Sequence, residues 1–303
     1  MKLKNLFSTF IVMIAFSTLT FAQLTILSGP EQASYYRFAQ DIVTVVGPEL
    51  GTPVSSEVTS GAVYNYEQLI DPNSPYKIAF VQADFLYYKQ AIDSKDNTEF
   101  SKQIKVVLPL AHEEIHIVTK EQNNLNKLQD FNTTPEKKIM AIGTKDQGTY
   151  YTANMIKNRS EIYWQSRNIH FDEALNDLYL DQVDAFMIVG SAPIQKLNIN
   201  PQVMVNPISL VELQDFNGWA KYYDADTIYA KDYKWLEKDI PTFSIKTLLI
   251  VNDSKLTDAE RMEVSLLKKG ILNKIDVLKA EGHPKWKDVD LFDWTDDDWP
   301  MFK

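Results

Sequence analysis

The stretch Ser28–Gln40, SGPEQASYYRFAQ, is echoed 115 residues later by Gly143–Met155, GTKDQGTYYTANM. Gln32-Ala33-Ser34-Tyr35-Tyr36 matches Gln147-Gly148-Thr149-Tyr150-Tyr151. Each stretch follows a short apolar run, Leu24–Leu27 or Ile139–Ile142, and each leads into a segment of helical character. A glycine-containing turn between strand and helix leaves the first helical N–H groups without acceptors, and the helix dipole adds partial positive charge there. Such a turn suits a carboxylate or a phosphate. Ser34 and Thr149 can cap their helices or donate a hydroxyl to a ligand, and the tyrosines can pack on the sheet or wall a ligand. Two like turns in two halves of one chain predict two similar lobes facing each other across a cleft.

Working outward, short apolar runs alternate with longer amphipathic segments. Strands are expected at Lys77–Val81, Val106–Leu108, Ile115–Thr119, Ile139–Ile142, Ala185–Val189 and Ile245–Val251. Helices are expected around Tyr35–Val46, Phe85–Ile92, Thr149–Asn158 and Phe171–Leu180. This alternation points to an α/β architecture with largely parallel sheets. Thr257–Ala280 reads as one long helix with a Thr257/Glu260 capping box, closed by Gly282 and Pro284. Polar residues just past a strand's carboxyl end, Gln82 and Asp84 in one half and Gly190 in the other, stand at the usual ligand edge of such sheets. Asp84 is equally readable as a helix cap, and Gly190 as a turn residue.

The first 22 residues carry Lys2 and Lys4, an apolar run from Leu6 to Leu19, and Thr20-Phe21-Ala22. That pattern reads as a secretory signal peptide cleaved before Gln23. Taking 22 residues from 303 leaves 281, and losing two lysines takes the formal charge from −10 to −12. The length suggests two domains, and the acidic balance argues against nucleic acid or an anionic membrane as partner. No cysteine is present, so neither a disulfide framework nor a lipid-attachment thiol exists. Export without cysteine suits a bacterial periplasm.

His112-Glu113-Glu114-Ile115-His116 fits the HExxH zinc-hydrolase pattern by letter. That chemistry needs both histidines on one helix face. Here the flanks Val106–Leu108 and Ile115–Thr119 read as strands, where residues four apart stand about 13 Å apart. Gly143-x4-Gly148-Thr149 lacks the lysine of a phosphate loop, and there is no Gly-x-Ser-x-Gly. The run Asp296–Asp298 between Trp294 and Trp299 reads as a solvated tail whose tryptophans tuck onto the domain. No cofactor or metal is expected, and the reading is a binding module, with a zinc hydrolase as the outside alternative.

In combination these stretches resemble the TAXI-type solute-binding proteins of tripartite (TRAP) transporters. LTILSGPEQASYY looks like that family's opening strand and glycine-rich loop, IAFVQADF its Val-Gln-x-Asp segment, and LPLAHEEIHIVTK its lobe-crossing strand. IGTKDQGTYYTANMI resembles its Gly-x4-Gly-Thr loop, and EALNDLYLDQVDAFMIVGSAP its Leu-x-x-Gly-x-x-Asp-Ala-Phe stretch. Two departures stand out: Ala33-Ser34 replaces the usual Gly-Thr, and the usual glycine is missing before Asp181. The resemblance, from Leu24 to about Lys255, implies a type II periplasmic binding protein fold. Lobe one would comprise residues 23–120 plus 241–303, and lobe two residues 121–240, joined by crossing hinge strands. A small organic anion, such as glutamate or a related carboxylate, would bind between them. The ligand-contacting residues would be Gly29, Gln32, Ser34, Tyr35, Gln82, Asp84, Thr144, Gln147, Gly148, Thr149, Tyr150 and Gly190. Arg37 and Lys145 are candidates for a second carboxylate, or plain solvated surface. The receptor would be a periplasmic monomer that passes its ligand to a TRAP-type membrane permease; the alternative is a stand-alone sensor or scavenger of the same fold.

Overall fold

The computed structural model describes residues 24–303 except 32, 134–136 and 205. The signal-peptide reading and Gln32 therefore lie outside the described residues. The strands are β1 (Leu24–Leu27), β2 (Val54–Glu57), β3 (Ile78–Gln82), β4 (Ile104–Lys120), β5 (Ile139–Ala141), β6 (Gln165–Arg167), β7 (Ala185–Gly190), β8 (Ile208–Leu210), β9 (Asp224–Ile228) and β10 (Ile240–Asn252). The helices are α1 (Ser34–Asp41), α2 (Ala62–Ile70), α3 (Ala83–Asp96), α4 (Gly148–Ser160), α5 (Phe171–Tyr179), α6 (Asp258–Asn273) and α7 (Ile275–Glu281).

All the strands join one sheet in the order β2-β1-β3-β10-β4-β7-β5-β6, with β8 paired to β4 and β9 to β10. At one end β1, β2 and β3 run parallel; at the other β5, β6 and β7 do. Between them stand β4 and β10, long and antiparallel, the only two strands among the described residues that couple both ends. The fold is α/β, as the alternation of strand and helix anticipates, but the sheet is mixed rather than largely parallel, because β4 and β10 pair antiparallel with every neighbour.

β4 is richly β-branched and almost wholly buried, as a central strand should be. The sequence reads it as two strands around Pro109, but it runs as one. Pro109 cannot donate to the ladder; it lies opposite Leu248, where the β4–β10 register slips between Lys246 and Leu248. The expected long C-terminal helix is also corrected. Its Thr257/Glu260 capping box forms, but the helix breaks at Lys274, whose φ of −103° and ψ of 9° are non-helical. The acidic tail folds back along β4: the Val106 N–H donates to the Pro300 carbonyl, the Phe302 N–H donates to the Val106 carbonyl, and buried Trp299 donates its indole N–H to the Ile104 carbonyl.

Candidate ligand-binding site

The starts of α1 and α4 open on a single cleft of about 580 Å³. Ala33, Ser34 and Arg37 line it from the α1 side, Gly143, Gln147 and Thr149 from the α4 side. The end of β7 with the following loop (Met187–Ser191, Pro193–Lys196) and the start of α5 (Ile169–Asp172) form further walls, and Glu113 and His283 also belong to the lining. Neither helix carries a side-chain cap. The first N–H groups of both thus have no side-chain acceptor, though that of Tyr150 donates to the Gln147 carbonyl at 3.2 Å.

The two hydroxyls of the repeated signature are tethered within the protein. Ser34 Oγ donates to Glu113 Oε1 across 79 positions of sequence. Thr149 Oγ1 accepts from the Val189 N–H at 3.3 Å, tying α4 to β7 and leaving its own proton free. Gln147 turns back on its loop, its Oε1 accepting from the Thr144 N–H at 2.9 Å. Gly143 adopts φ +79°, a conformation glycine tolerates and other residues resist, and this lets the turn close beneath Gln147.

Of the residues expected at the ligand, Ser34, Gln147, Thr149 and Gly190 line the cleft. Gly29, Tyr35, Gln82, Asp84, Thr144, Gly148 and Tyr150 stand behind that lining. Tyr35 is buried against Phe80, ring centroids 5.7 Å apart, and Tyr150 packs on Tyr151 at 5.1 Å. Gly29 abuts Tyr35, and Gln82 packs on Gly148. Asp84, at the start of α3, is fully buried; its Oδ2 accepts from Thr152 Oγ1 at 2.7 Å and from the Tyr223 hydroxyl at 3.4 Å. Burial lifts its carboxyl to about 6, with the Thr152 bond pulling the other way.

Arg37, Glu113 and His283 belong to the lining although the sequence reading gave them no firm place there. Arg37 is exposed and makes no hydrogen bond or ion pair to another described side chain, so its guanidinium is free for an anion. Its spacing from Ser34 puts both on one helix face. Lys196, by contrast, is paired with Asp172 on the far rim. Lys145 is exposed and does not line the cleft. Glu113 is buried at the floor; burial, partly offset by the Ser34 bond and reinforced by the charge of Glu114, raises its carboxyl to about 7. Glu114 is held by Lys285 and by the Ala192 N–H at 2.8 Å.

The HExxH letters lie wholly within β4. His112 meets Ser244 at 3.1 Å, while buried His116 bonds the Glu114 carbonyl at 3.0 Å and the Tyr233 hydroxyl at 2.9 Å. Among the described residues no three His, Asp or Glu side chains cluster as a metal would require. No described helix is long and apolar enough to cross a membrane.

This architecture is that of periplasmic binding proteins. MatC from Rhodopseudomonas palustris with bound malate is similar over 89% of this chain and 90% of its own, at 12% identity and a TM-score of 0.55. A periplasmic transporter covers 93% and 92% at 14% identity and 0.53, and the periplasmic binding protein BugD covers 88% and 84% at 14% identity and 0.52. No curated protein sequence matches. The chain belongs to the NMT1-like family, whose model matches residues 26–293.

Proposed function

We propose that this protein is a periplasmic receptor that captures a small organic anion between two lobes and delivers it to a TRAP-type permease. The observation that carries the reading is the convergence of two uncapped helix starts and one unpaired arginine on a single cleft. Helix N-termini favour negative charge, and a guanidinium binds carboxylates in a bidentate fork. The malate bound by MatC is an anion of this kind. The TAXI-type resemblance of the helix-start loops supplies the permease class. β4 and β10 are the natural hinge between lobes of residues 23–120 plus 241–303 and 121–240. Closure would be driven by the ligand's higher affinity for the closed state. An export signal at residues 1–22 and a monomeric state complete the proposal.

A thermal-shift screen of residues 23–303 against mono- and dicarboxylates and amino acids tests this. A ligand at a hundredfold excess over its dissociation constant stabilises the fold by about 2.7 kcal/mol. A shift that Thr149→Ala diminishes supports the cleft; no shift with any organic anion overturns the reading.

A further inference from the structure

We infer that Glu113 makes anion capture proton-linked: a carboxylate settling at the start of α1 does so together with one proton, taken up from solvent by the Glu113 carboxyl. The inference rests on the cleft being the anion site, as proposed above.

The geometry brings attraction and opposition to the same place. Arg37 and the first N–H groups of α1 draw an anion to one end of the cleft. Ser34, the first residue of that helix, already donates to Glu113, which lines the cleft floor at 5% exposure. Among the described residues no cation is paired with Glu113: the nearby Lys285 offsets part of the cost of burial but is engaged by Glu114 and Asp288. An ionised Glu113, itself only 5% exposed, would thus stand beside the incoming carboxylate, and close like charges with little water between them favour protonation of one. With the proton added, the neutral carboxyl donates a hydrogen bond to the ligand instead.

The charged and titratable groups around Glu113 do not supply another way out. On β4 there is Glu114; from α1 come Arg37 and the phenol of Tyr35, and from α3 comes Asp84, near Tyr35. The C-terminal segment brings Lys285 and His283, and the opposite wall brings His170 and the paired Lys196 and Asp172. β10 contributes the Thr247 hydroxyl, which faces both Glu113 and the Tyr35 phenol and favours the ionised carboxyl, though less than burial opposes it. Arg37 compensates one negative charge. A ligand carboxylate plus an ionised Glu113 would present two. Because burial raises Glu113 to about 7, the free protein above that pH must acquire the proton on binding, while below it the proton is already present.

The test is titration calorimetry of the wild-type protein with succinate, L-malate and propionate, none of which bears an ammonium group, in two buffers of different ionisation enthalpy. At about pH 8 the tightest binder should take up about one proton per ligand, falling to none near pH 5.5. Affinity should weaken up to tenfold per pH unit above about 7. Glu113→Gln should abolish the uptake and bind tighter than wild type at the higher pH. Binding without proton uptake by the wild type overturns the inference and leaves the anion cleft standing. Failure of every carboxylate to bind removes both. L-glutamate serves as the contrast: if it binds without proton exchange and Glu113→Gln loses it, Glu113 holds an ammonium group and the inference is wrong.

Discussion

Gln82 fills the space that a side chain on residue 148 would need: a Cβ on Gly148 would lie 1.6 Å from Gln82 Oε1 and 2.7 Å from Cδ. The last residue of β3 is thereby pressed against the first residue of α4, locking the α4 start to the other end of the sheet. Gln82 is only 4% exposed, so it cannot swing clear into solvent. Gly148→Ala should therefore destabilise the protein by about 1 to 3 kcal/mol through overpacking, despite alanine's better helix propensity. Adding Gln82→Ala should recover much of that loss. A double-mutant cycle by urea denaturation measures the coupling; additive effects would mean that the two residues do not oppose each other.

The Lys285–Glu114 pair has little water around it, with side-chain exposures of 13% and 6%. It fastens the segment after α7 to β4, while the other oxygen of Glu114 receives the Ala192 N–H from the loop after β7. Removing the ammonium strands a buried carboxylate. Lys285→Met should cost about 3 to 5 kcal/mol, and Lys285→Met with Glu114→Gln distinctly less. Chemical denaturation at neutral pH reads both. A loss under about 1 kcal/mol would place this pair with ordinary surface ion pairs.

Asp84 gives stability a definite pH dependence. Its folded-state carboxyl stands at about 6 against an ordinary 3.8, chiefly through burial. The sign follows from linkage: the folded state holds the proton more tightly, so this contribution is complete below about 3.8 and lost as pH rises through about 6. Relative to Asp84→Asn, the wild type should lose roughly 2 to 3 kcal/mol between about pH 4 and pH 7. The constant offset between the two proteins reports how well the amide fits beside Thr152 and Tyr223. A difference that does not change with pH would show that Asp84 titrates normally.

Strand–helix alternation and the paired turns were legible because both are local. Their consequence, two helix starts on one cleft, needed only that like units face each other. What escaped the sequence depends on register and long-range packing. Glu113 carries meaning in the letters only as part of HExxH. Its place at the cleft floor comes from the pairing of β4 with β10, Glu113 opposite Ile245, and from α1 packing over it. Pro109 reads as a strand break because a proline usually is one; the ladder absorbs it through a register slip against β10. The break at Lys274 has no proline or glycine to announce it. The inward set of Tyr35 reflects its contact with Phe80, a residue of a neighbouring strand that no spacing rule links to it.

Arg37 separates a binding role from a structural one. It is exposed, and its guanidinium stands over the Tyr36 ring, with 5.7 Å from guanidinium carbon to ring centre. Truncating it should change the stability of the unliganded protein by no more than about 0.5 kcal/mol. Anion affinity is another matter, because a hydrogen bond to a charged group contributes about 1.5 to 3 kcal/mol. Arg37→Ala should therefore weaken carboxylate binding roughly tenfold to a hundredfold. Lys145→Ala, which removes an equal charge outside the cleft, should leave binding nearly unchanged. Added salt should weaken the wild type more than Arg37→Ala, since only the wild type keeps a partly solvated charge pair to screen. Calorimetric titration of the three proteins at two ionic strengths decides the matter. Equal affinities for Arg37→Ala and wild type would place the anion at the α4 end of the cleft, away from α1.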